Sequence, residues 1–237
     1  MIFDFDGTLT PLTLLPDFPR LTSATKRHLV HLSKIYTVII LSGRSVKDLK
    51  KLTAGLRVKL IGNHGIEGLP EFRNQLRSAK NISQKWAENL KTTLPQFSKL
   101  FLENKNYSLC FHYAKAPRKR LLTQQLITIS KALKPAPRLI PGTDLLNLIP
   151  RSAPTKADAV RRLQLKFRKT PLIYIGDDAL EDPIWALNVK NFTKTHIGPR
   201  PLPRRLLKDG EWWWGPQKQI DELMKTFIKL GCLRFSY

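Results

Sequence analysis

The sequence predicts an α/β protein with a mostly parallel sheet, helices on both faces of that sheet, and an inserted α+β segment. Two short runs, "TVIILS" and "LIYIG", are almost wholly apolar, which is typical of strands buried on both faces of a parallel sheet. Strand-like and helix-like segments alternate at both ends of the chain, whereas the middle carries a hairpin pattern. We therefore expect an open α/β core that is interrupted by a separate small domain.

The first third of the chain predicts three strands with a helix after each of the first two. The spacing of Leu29, Leu32 and Ile35 places these side chains on one helical face, and Gly55 is expected to end the second helix. The elements in order are the short strand "MIFDF", the helix "SATKRHLVHLSKI", the strand "YTVIILSG", the helix "SVKDLKKLTAGL" and the strand "VKLIGNHG".

The middle third predicts a different arrangement, in which two hairpins alternate with two helices. The elements in order are the helix "NISQKWAENLKTTL", two strands in "SKLFLENKNYSLCFHYA" around a turn at 104–106, the helix "RKRLLTQQLITISKAL" and two strands in "PRLIPGTDLLNLIP". In the strand that ends the first hairpin, Cys110 and His112 lie on the face opposite Leu109, Phe111 and Tyr113. We assign residues 70–150 to the inserted domain and residues 1–69 with 151–237 to the core.

The last third returns to the alternation of the first. The expected elements are the helix "TKADAVRRLQLKF", the buried strand "TPLIYIGDD", the short helix "EDPIWALN", the strand "FTKTHIG" and the closing helix "GPQKQIDELMKTFIKL". The run "EWWWG" is expected to pack the closing helix against the core, with an exposed stacking surface as the alternative.

Composition narrows the functional class. The 237 residues carry 41 Lys and Arg against 18 Asp and Glu, a formal charge of +23 that favours anionic partners. The basic residues are spread along the chain without a recognisable nucleic-acid module, so we expect a solvated basic surface, with nucleic-acid binding as the remote alternative. No run approaches the roughly 18 apolar residues of a membrane span. Cys110 and Cys232 are predicted to be reduced thiols of a cytoplasmic protein.

Polar residues follow four of the predicted strands, in "DFDGT", "LSGR", "GNHG" and "GDD". Because ligands of open α/β sheets bind outside the carboxyl ends of the strands, these residues are expected to converge on one crevice. Each motif alone is typical of a turn. Together they predict one site. If Asp4 attacks a phosphorus there, it forms an aspartyl-phosphate, which is the covalent route open to a carboxylate. Asp6 would then protonate the leaving alkoxide and later deprotonate the hydrolytic water.

The remaining polar residues suit the negative charge of that reaction. Asp177 and Asp178 offer the hard oxygen ligands that Mg²⁺ prefers. Ser42 offers a hydroxyl donor, and Lys156 offers a fixed positive charge to the phosphoryl oxygens. Glycines 7, 43 and 176 would let the backbone approach a phosphate closely.

Four features in order resemble the four motifs of the haloacid dehalogenase superfamily of phosphotransferases: "DFDGT", "LSGR", the lysine Lys156 after the inserted segment, and "GDDALED". The resemblance implies a Rossmann-like core with a type II cap inserted between the second and third motifs. It implies Asp4 as nucleophile, Asp6 as acid/base, and Ser42 with Lys156 as phosphate ligands. The metal site that it implies comprises Asp4, the backbone carbonyl of Asp6, Asp177 and the neighbouring Asp178.

The stretches "DFDGTLTPL", "LSGRSVKDL", "IGNHGIE", "FHYAKAP" and "IGDDALED" are more specifically similar to the trehalose-6-phosphate phosphatase family. That resemblance implies removal of phosphate from a phosphorylated disaccharide in trehalose biosynthesis, with Mg²⁺ as cofactor. We expect the chain to be a monomer, with a glycosyltransferase (synthase) as a possible partner. The residues assigned to substrate binding are Gly7, Thr8, Gly43, Arg44, Asn63, His64, His112 and Arg151. For His112 an ordinary cap histidine is an equal alternative.

Several positions depart from the family pattern. Leu180 stands where a threonine is expected, and Ala114 stands where an arginine is expected. The family has an acid–lysine–proline stretch before the lysine that Lys156 matches. Counting back from Lys156, Leu148 falls where the sugar-binding glutamate of that stretch is expected, and Arg151 is a candidate to replace its lysine. These departures leave a related phosphatase open, acting on another glycosyl phosphate such as sucrose phosphate or mannosylphosphoglycerate.

Overall fold

The computed structural model of the chain describes residues 1–12, 19–167, 170–177, 192–197 and 211–234. It divides into two compact units, one formed by Met1–Gly68 with Thr155–Tyr237 and the other by Leu69–Pro154. The predicted helix "EDPIWALN" and the predicted metal ligand Asp178 lie outside the described residues. Among the helices in those ranges, none has both the length and the apolar character of a membrane span.

The first unit is built on a six-stranded sheet whose strands all run parallel, in the order β10-β9-β8-β1-β2-β3. This sheet confirms the predicted α/β fold class. Strands are numbered along the whole chain, and β1, at the centre, is only two residues long. The strands are β1 (Ile2–Phe3), β2 (Ile39–Leu41), β3 (Lys59–Ile61), β8 (Leu172–Gly176), β9 (Phe192–Ile197) and β10 (Glu211–Gly215).

In the part of the chain that the structure describes, four α-helices accompany this sheet: α1 (Ser23–Ile35), α2 (Val46–Leu52), α5 (Lys156–Lys166) and α6 (Ile220–Arg234). The first three are capped at their N-termini by Thr22, Ser45 and Thr155. Each of these side chains accepts a hydrogen bond from the backbone N–H three residues later. Leu29 and Leu32 of α1 are fully buried in one core with side chains of β1, β2, β8 and α6, as their spacing predicts.

The second unit is a four-stranded antiparallel sheet in the order β4-β5-β7-β6, with two helices. Its core gathers Trp86 and Leu90 with Leu109, Phe111 and Leu148, all fully or almost fully buried. The elements are α3 (Arg73–Leu90), β4 (Phe101–Asn104), β5 (Leu109–His112), α4 (Lys119–Ala132), β6 (Pro137–Gly142) and β7 (Leu145–Pro150).

Two elements differ from the prediction. Helix α3 begins eight residues earlier than "NISQKWAENLKTTL" suggests, because the one buried residue of its added part, 73–80, is the small Ala79, which gives no periodic hydrophobic signal. The segment 211–215, which was expected to pack the closing helix against the core, forms strand β10 and pairs in parallel with β9. Backbone pairing of this kind leaves no periodic pattern in a run of three tryptophans.

Candidate active site

The carboxyl ends of the central strands bring the predicted acids together. Asp4 directly follows β1 and Asp177 directly follows β8, and these two strands are hydrogen-bonded neighbours. The Asp4 N–H donates to the carbonyl of Ile175 at 2.8 Å, so the pairing continues up to the aspartate. Ser42 follows β2, the neighbour of β1 on its other side. Asp4, Ser42 and Asp177, which belong to three of the four superfamily motifs, therefore lie at one edge of the sheet, as parallel strands require.

Lys156 completes this group from the first turn of α5. Its Nζ lies 3.3 Å from Oδ1 of Asp4, and the two side chains are only 4% and 8% exposed. A charge pair this buried costs desolvation that close pairing must offset. The pairing of two sequence-distant predicted residues is the strongest geometric feature of the site.

The position of Lys156 depends on a close backbone contact. Gly65 has a φ of +108°, and a Cβ added to it would lie 2.4 Å from the carbonyl oxygen of Thr155 and 2.9 Å from the N of Lys156. Any side chain at residue 65 would therefore push α5 away. The helix start is further fixed by a capping box between Thr155 and Asp158.

Asp6 and Arg44, from the first and second motifs, form a bidentate pair. Arg44 donates from Nε to Oδ2 of Asp6 at 2.7 Å and from Nη2 to Oδ1 at 2.8 Å. Both carboxylate oxygens of the predicted acid/base are thus held by one guanidinium, the geometry that arginine forks favour.

Asp177 packs onto the loop after β1. Its Oδ1 accepts a hydrogen bond from Oγ1 of Thr8 at 3.0 Å. Gly7, with a φ of +79°, leaves the space that the carboxylate fills, because a Cβ there would lie 1.8 Å from Oδ2 of Asp177. Thr8 is fully buried. The structure therefore shows Gly7 and Thr8 supporting Asp177, and their predicted substrate contacts stay predictions.

Alanine at Gly7 is expected to destabilise the protein and to lower any phosphatase rate, because the carboxylate of Asp177 must move. The matched control is Gly55→Ala, since Gly55 has a φ of +82° but nothing within 4 Å of the added Cβ. Both variants carry the backbone cost of about 1 kcal/mol. Denaturant unfolding should show a clearly larger loss for Gly7→Ala. Equal losses would contradict the tight packing of Asp177.

The turn after β3 is tied to the second motif. His64 N–H donates to the carbonyl of Ser42 at 3.0 Å, and Asn63 N–H donates to that of Arg44 at 2.7 Å. The His64 ring lies against Gly43, where a Cβ would be 2.6 Å from Cε1. The fully buried Asn63 donates from Nδ2 to Glu67 at 2.7 Å. The substrate roles predicted for Gly43, Asn63 and His64 stay predictions, and their observed contacts hold the turn in place.

The residues described at this edge fit a magnesium ion by their donor chemistry. Asp4 and Asp177 supply hard carboxylate oxygens on adjacent strands, and no nitrogen or sulfur ligand is needed. The Asp6 carboxylate is engaged by Arg44, which agrees with the expectation that Asp6 offers its backbone carbonyl instead.

The second unit holds the remaining predicted contacts, His112 and Arg151. His112 lies at the end of β5, with Nε2 2.8 Å from Oε2 of Glu103. Burial lowers the pKa of His112, but hydrogen bonds and charge interactions with Cys110 and Glu103 outweigh it and raise the pKa to about 9. Arg151 is exposed in the turn after β7. Substrate binding by either residue stays a prediction.

Sequence reasoning placed Cys110 and His112 on one face of their strand but did not identify the polar residues on the neighbouring strands. Leu148 is fully buried in the apolar core, so it cannot stand in for a sugar-binding glutamate. Its neighbour Asn147 lies opposite Cys110, and its Oδ1 accepts from Nζ of Lys105 at 3.3 Å. Glu103 and Lys105 belong to the same polar group. Strand alternation in "FLENK" and "LLNLIP" was the available signal, because it separates these side chains from their buried neighbours.

The parallel sheet and the strand-end acids with their buried lysine agree with the fold and the motif positions that the resemblance to the haloacid dehalogenase superfamily implies. The family model described as trehalose-phosphatase matches residues 2–189. The chain therefore belongs to the trehalose-phosphatase family, a family of phosphoric monoester hydrolases, and this confirms the predicted resemblance.

Individual relatives agree with this membership. A trehalose-phosphate phosphatase of Mycolicibacterium paratuberculosis is 25% identical over 193 residues, which cover 77% of this chain and 49% of that relative. The chain thus spans about half the length of the curated relative that it matches.

Two solved structures share the fold. A trehalose-6-phosphate phosphatase related protein has a TM-score of 0.77 at 19% identity, covering 98% of this chain and 99% of its own. The C-terminal domain of a C. albicans trehalose-6-phosphate phosphatase has a TM-score of 0.71 at 16% identity, covering 97% of this chain and 92% of that chain. At such identities the likeness shows the fold alone.

Proposed function

We propose that this chain hydrolyses the phosphomonoester of a phosphorylated sugar, with trehalose 6-phosphate as the first candidate, and releases inorganic phosphate. The observation that carries the proposal is the buried Asp4–Lys156 pair at the carboxyl end of β1, 3.3 Å between Oδ1 and Nζ. The fixed positive charge beside the carboxylate offsets the repulsion between this nucleophile and a phosphate dianion. Family membership supports trehalose 6-phosphate as the substrate.

In the proposed first step, an Asp4 carboxylate oxygen forms a bond to phosphorus while the bond from phosphorus to the sugar oxygen breaks. Asp6 gives a proton to the departing sugar oxygen. In the second step Asp6 takes a proton from water, whose oxygen displaces Asp4 from phosphorus and restores the free carboxylate. Lys156 and Ser42 hold the phosphoryl oxygens throughout. Mg²⁺, held by Asp4, Asp177 and the Asp6 carbonyl, would supply further positive charge for the phosphoryl group.

The Arg44–Asp6 pair adds a step to this scheme. A carboxylate oxygen that accepts from a guanidinium N–H at 2.7 Å cannot also present a proton to a leaving group. We propose that the arriving phosphoryl oxygens attract the Arg44 guanidinium, so that the freed Asp6 carboxylate first takes a proton from water and then passes it to the departing sugar oxygen. This assigns Arg44 a contact with substrate, in agreement with its predicted role.

We propose that the second unit, Leu69–Pro154, is the cap that selects the sugar, with His112 and Arg151 as sugar contacts. Leu148, which is buried in the core of this unit, offers no carboxylate at the position where the family pattern places one. This observation favours testing sucrose phosphate and mannosylphosphoglycerate beside trehalose 6-phosphate.

The test is a phosphate-release assay of the purified chain over a panel of glycosyl phosphates, with Mg²⁺ and with a chelator. We expect release from at least one member, with trehalose 6-phosphate the fastest, and loss of release with the chelator. Faster turnover of another member would keep the chemistry and replace the substrate. No release from any member would contradict the proposal.

A further inference from the structure

The polar face of the second sheet contains a cluster of three side chains that the proposed reaction does not need together. Cys110 and His112 lie on the same face of β5, since they are two residues apart, and Glu103 of β4 lies directly opposite Cys110. The Cys110 sulfur, a ring nitrogen of His112 and a carboxylate oxygen of Glu103 all lie within 4.8 Å of one another. We call this group the Glu103–Cys110–His112 cluster.

We propose that the Glu103–Cys110–His112 cluster binds Zn²⁺ or a divalent cation of similar borderline softness. Thiolate, imidazole and carboxylate are the three ligand types that zinc accepts in proteins. Mg²⁺ prefers oxygen ligands alone, so the cluster differs in metal preference from the acids at the end of β1 and β8. Nothing in the proposed phosphatase reaction requires this second metal.

The distances allow such a site with small adjustments. Zinc bonds to sulfur at 2.3 Å and to nitrogen and oxygen near 2.0–2.2 Å, so tetrahedral ligand atoms stand about 3.4–3.6 Å apart. The observed separation of His112 Nε2 and Glu103 Oε2 is 2.8 Å. The His112–Glu103 pair would therefore open by less than about 1 Å, and the two pairs with Cys110, which are at most 4.8 Å apart, would close by no more than about 1.4 Å, which rotation of the side chains provides. The Cys110 thiol is fully buried, and this protects it from other reactions.

The charge on this face also fits a cation. Glu103 is balanced by Lys105, whose Nζ lies 3.8 Å from Oε2 and whose side chain is only 9% exposed. A metal ion would supply that positive charge directly, and the flexible stem of Lys105 lets its ammonium move to water. Asn147, opposite Cys110 on β7, carries an amide oxygen on the adjacent strand, and a water molecule is the other source of a fourth ligand.

The two proposals for His112 use different ring nitrogens: Nε2, which lies 2.8 Å from Oε2 of Glu103, would bind the metal, and Nδ1 would contact the sugar. The site is tested without any phosphatase assay, so its failure and the failure of the proposed function are separate results.

The experiment is a titration of the purified chain with Co²⁺, which reports zinc-type sites by its spectrum. A cobalt–thiolate bond gives a charge-transfer band in the near ultraviolet, whereas Co²⁺ held by the oxygens of Asp4 and Asp177 gives none. We expect the band to appear with one Co²⁺ per chain and to vanish when Zn²⁺ is added. Glu103→Gln should weaken binding by about 100-fold or more, since it removes a charged ligand.

The matched controls are the two cysteines. Cys110→Ser should lose the band, and Cys232→Ser, which changes the exposed cysteine of α6, should retain it. Lys105→Gln should bind Co²⁺ more tightly than the unchanged chain, which also covers the case that Cys110→Ser does not fold. Absence of the band in the unchanged chain, its loss in Cys232→Ser alone, or unchanged binding in Glu103→Gln would each overturn the proposal.

Discussion

Asparagine at Asp4 is expected to lower the turnover number for phosphate release by on the order of 10³-fold or more. The amide keeps the size of the carboxylate but is a very poor nucleophile toward phosphorus. The side chain is buried beside Lys156, so no neighbouring water can easily take its place. The measurement is the steady-state rate of phosphate release on the best substrate of the panel.

The matched control is Asp221→Asn, the same chemical change on α6. Asp221 accepts a hydrogen bond from Thr25 Oγ1 at 3.0 Å and takes no part in the proposed reaction. This variant should retain the turnover number of the unchanged chain. Equal activity of Asp4→Asn and Asp221→Asn would exclude Asp4 as the nucleophile.

Methionine at Lys156 is expected to reduce phosphate release by about 10²-fold or more, because the fixed charge on the phosphoryl oxygens is lost. It should also lower the free energy of unfolding by about 3 kcal/mol, since the buried Asp4 carboxylate loses the ammonium that lies 3.3 Å from its Oδ1. Adding Asp4→Asn to this variant should restore part of that stability. Rates of phosphate release and denaturant unfolding of the single and double variants measure both effects.

The control for this change lies on the same helix. Lys166, in the last turn of α5, is exposed, so Lys166→Met should leave the rate unchanged and alter stability by only a few tenths of a kcal/mol. If the losses from Asp4→Asn and Lys156→Met simply add, the two side chains are not energetically coupled.

Much of the site's framework was readable in the sequence, because it depends on local patterns. Apolar runs define β1, β2 and β8, and the polar residue after each run must lie at the carboxyl end of a parallel strand. Asp4, Ser42 and Asp177 are therefore placed by strand order alone. The helices of the core were equally accessible, because α1 and α5 carry both apolar periodicity and capping residues.

What the sequence did not predict depends on side-chain reach between distant segments. Nothing local indicates that both oxygens of Asp6 accept from Arg44, or that Gly65 is required for the position of Lys156. The count back from Lys156 to Leu148 did not show which face of a strand that residue occupies, and successive residues of a strand point to opposite faces. Asn147 therefore lies on the polar face, and Leu148 lies in the core.

The most direct test of the central claim is a pre-steady-state measurement on the Asp6→Asn variant with an aryl phosphate such as p-nitrophenyl phosphate. Its phenolate leaves without a proton, so attack by Asp4 still occurs, whereas hydrolysis of the intermediate lacks its base. We predict a rapid burst of one nitrophenolate per chain, a slow later phase, and no burst in the Asp4→Asn/Asp6→Asn double variant. Turnover of this ester by the unchanged chain without a burst in Asp6→Asn, or a burst that survives in the double variant, would contradict the account.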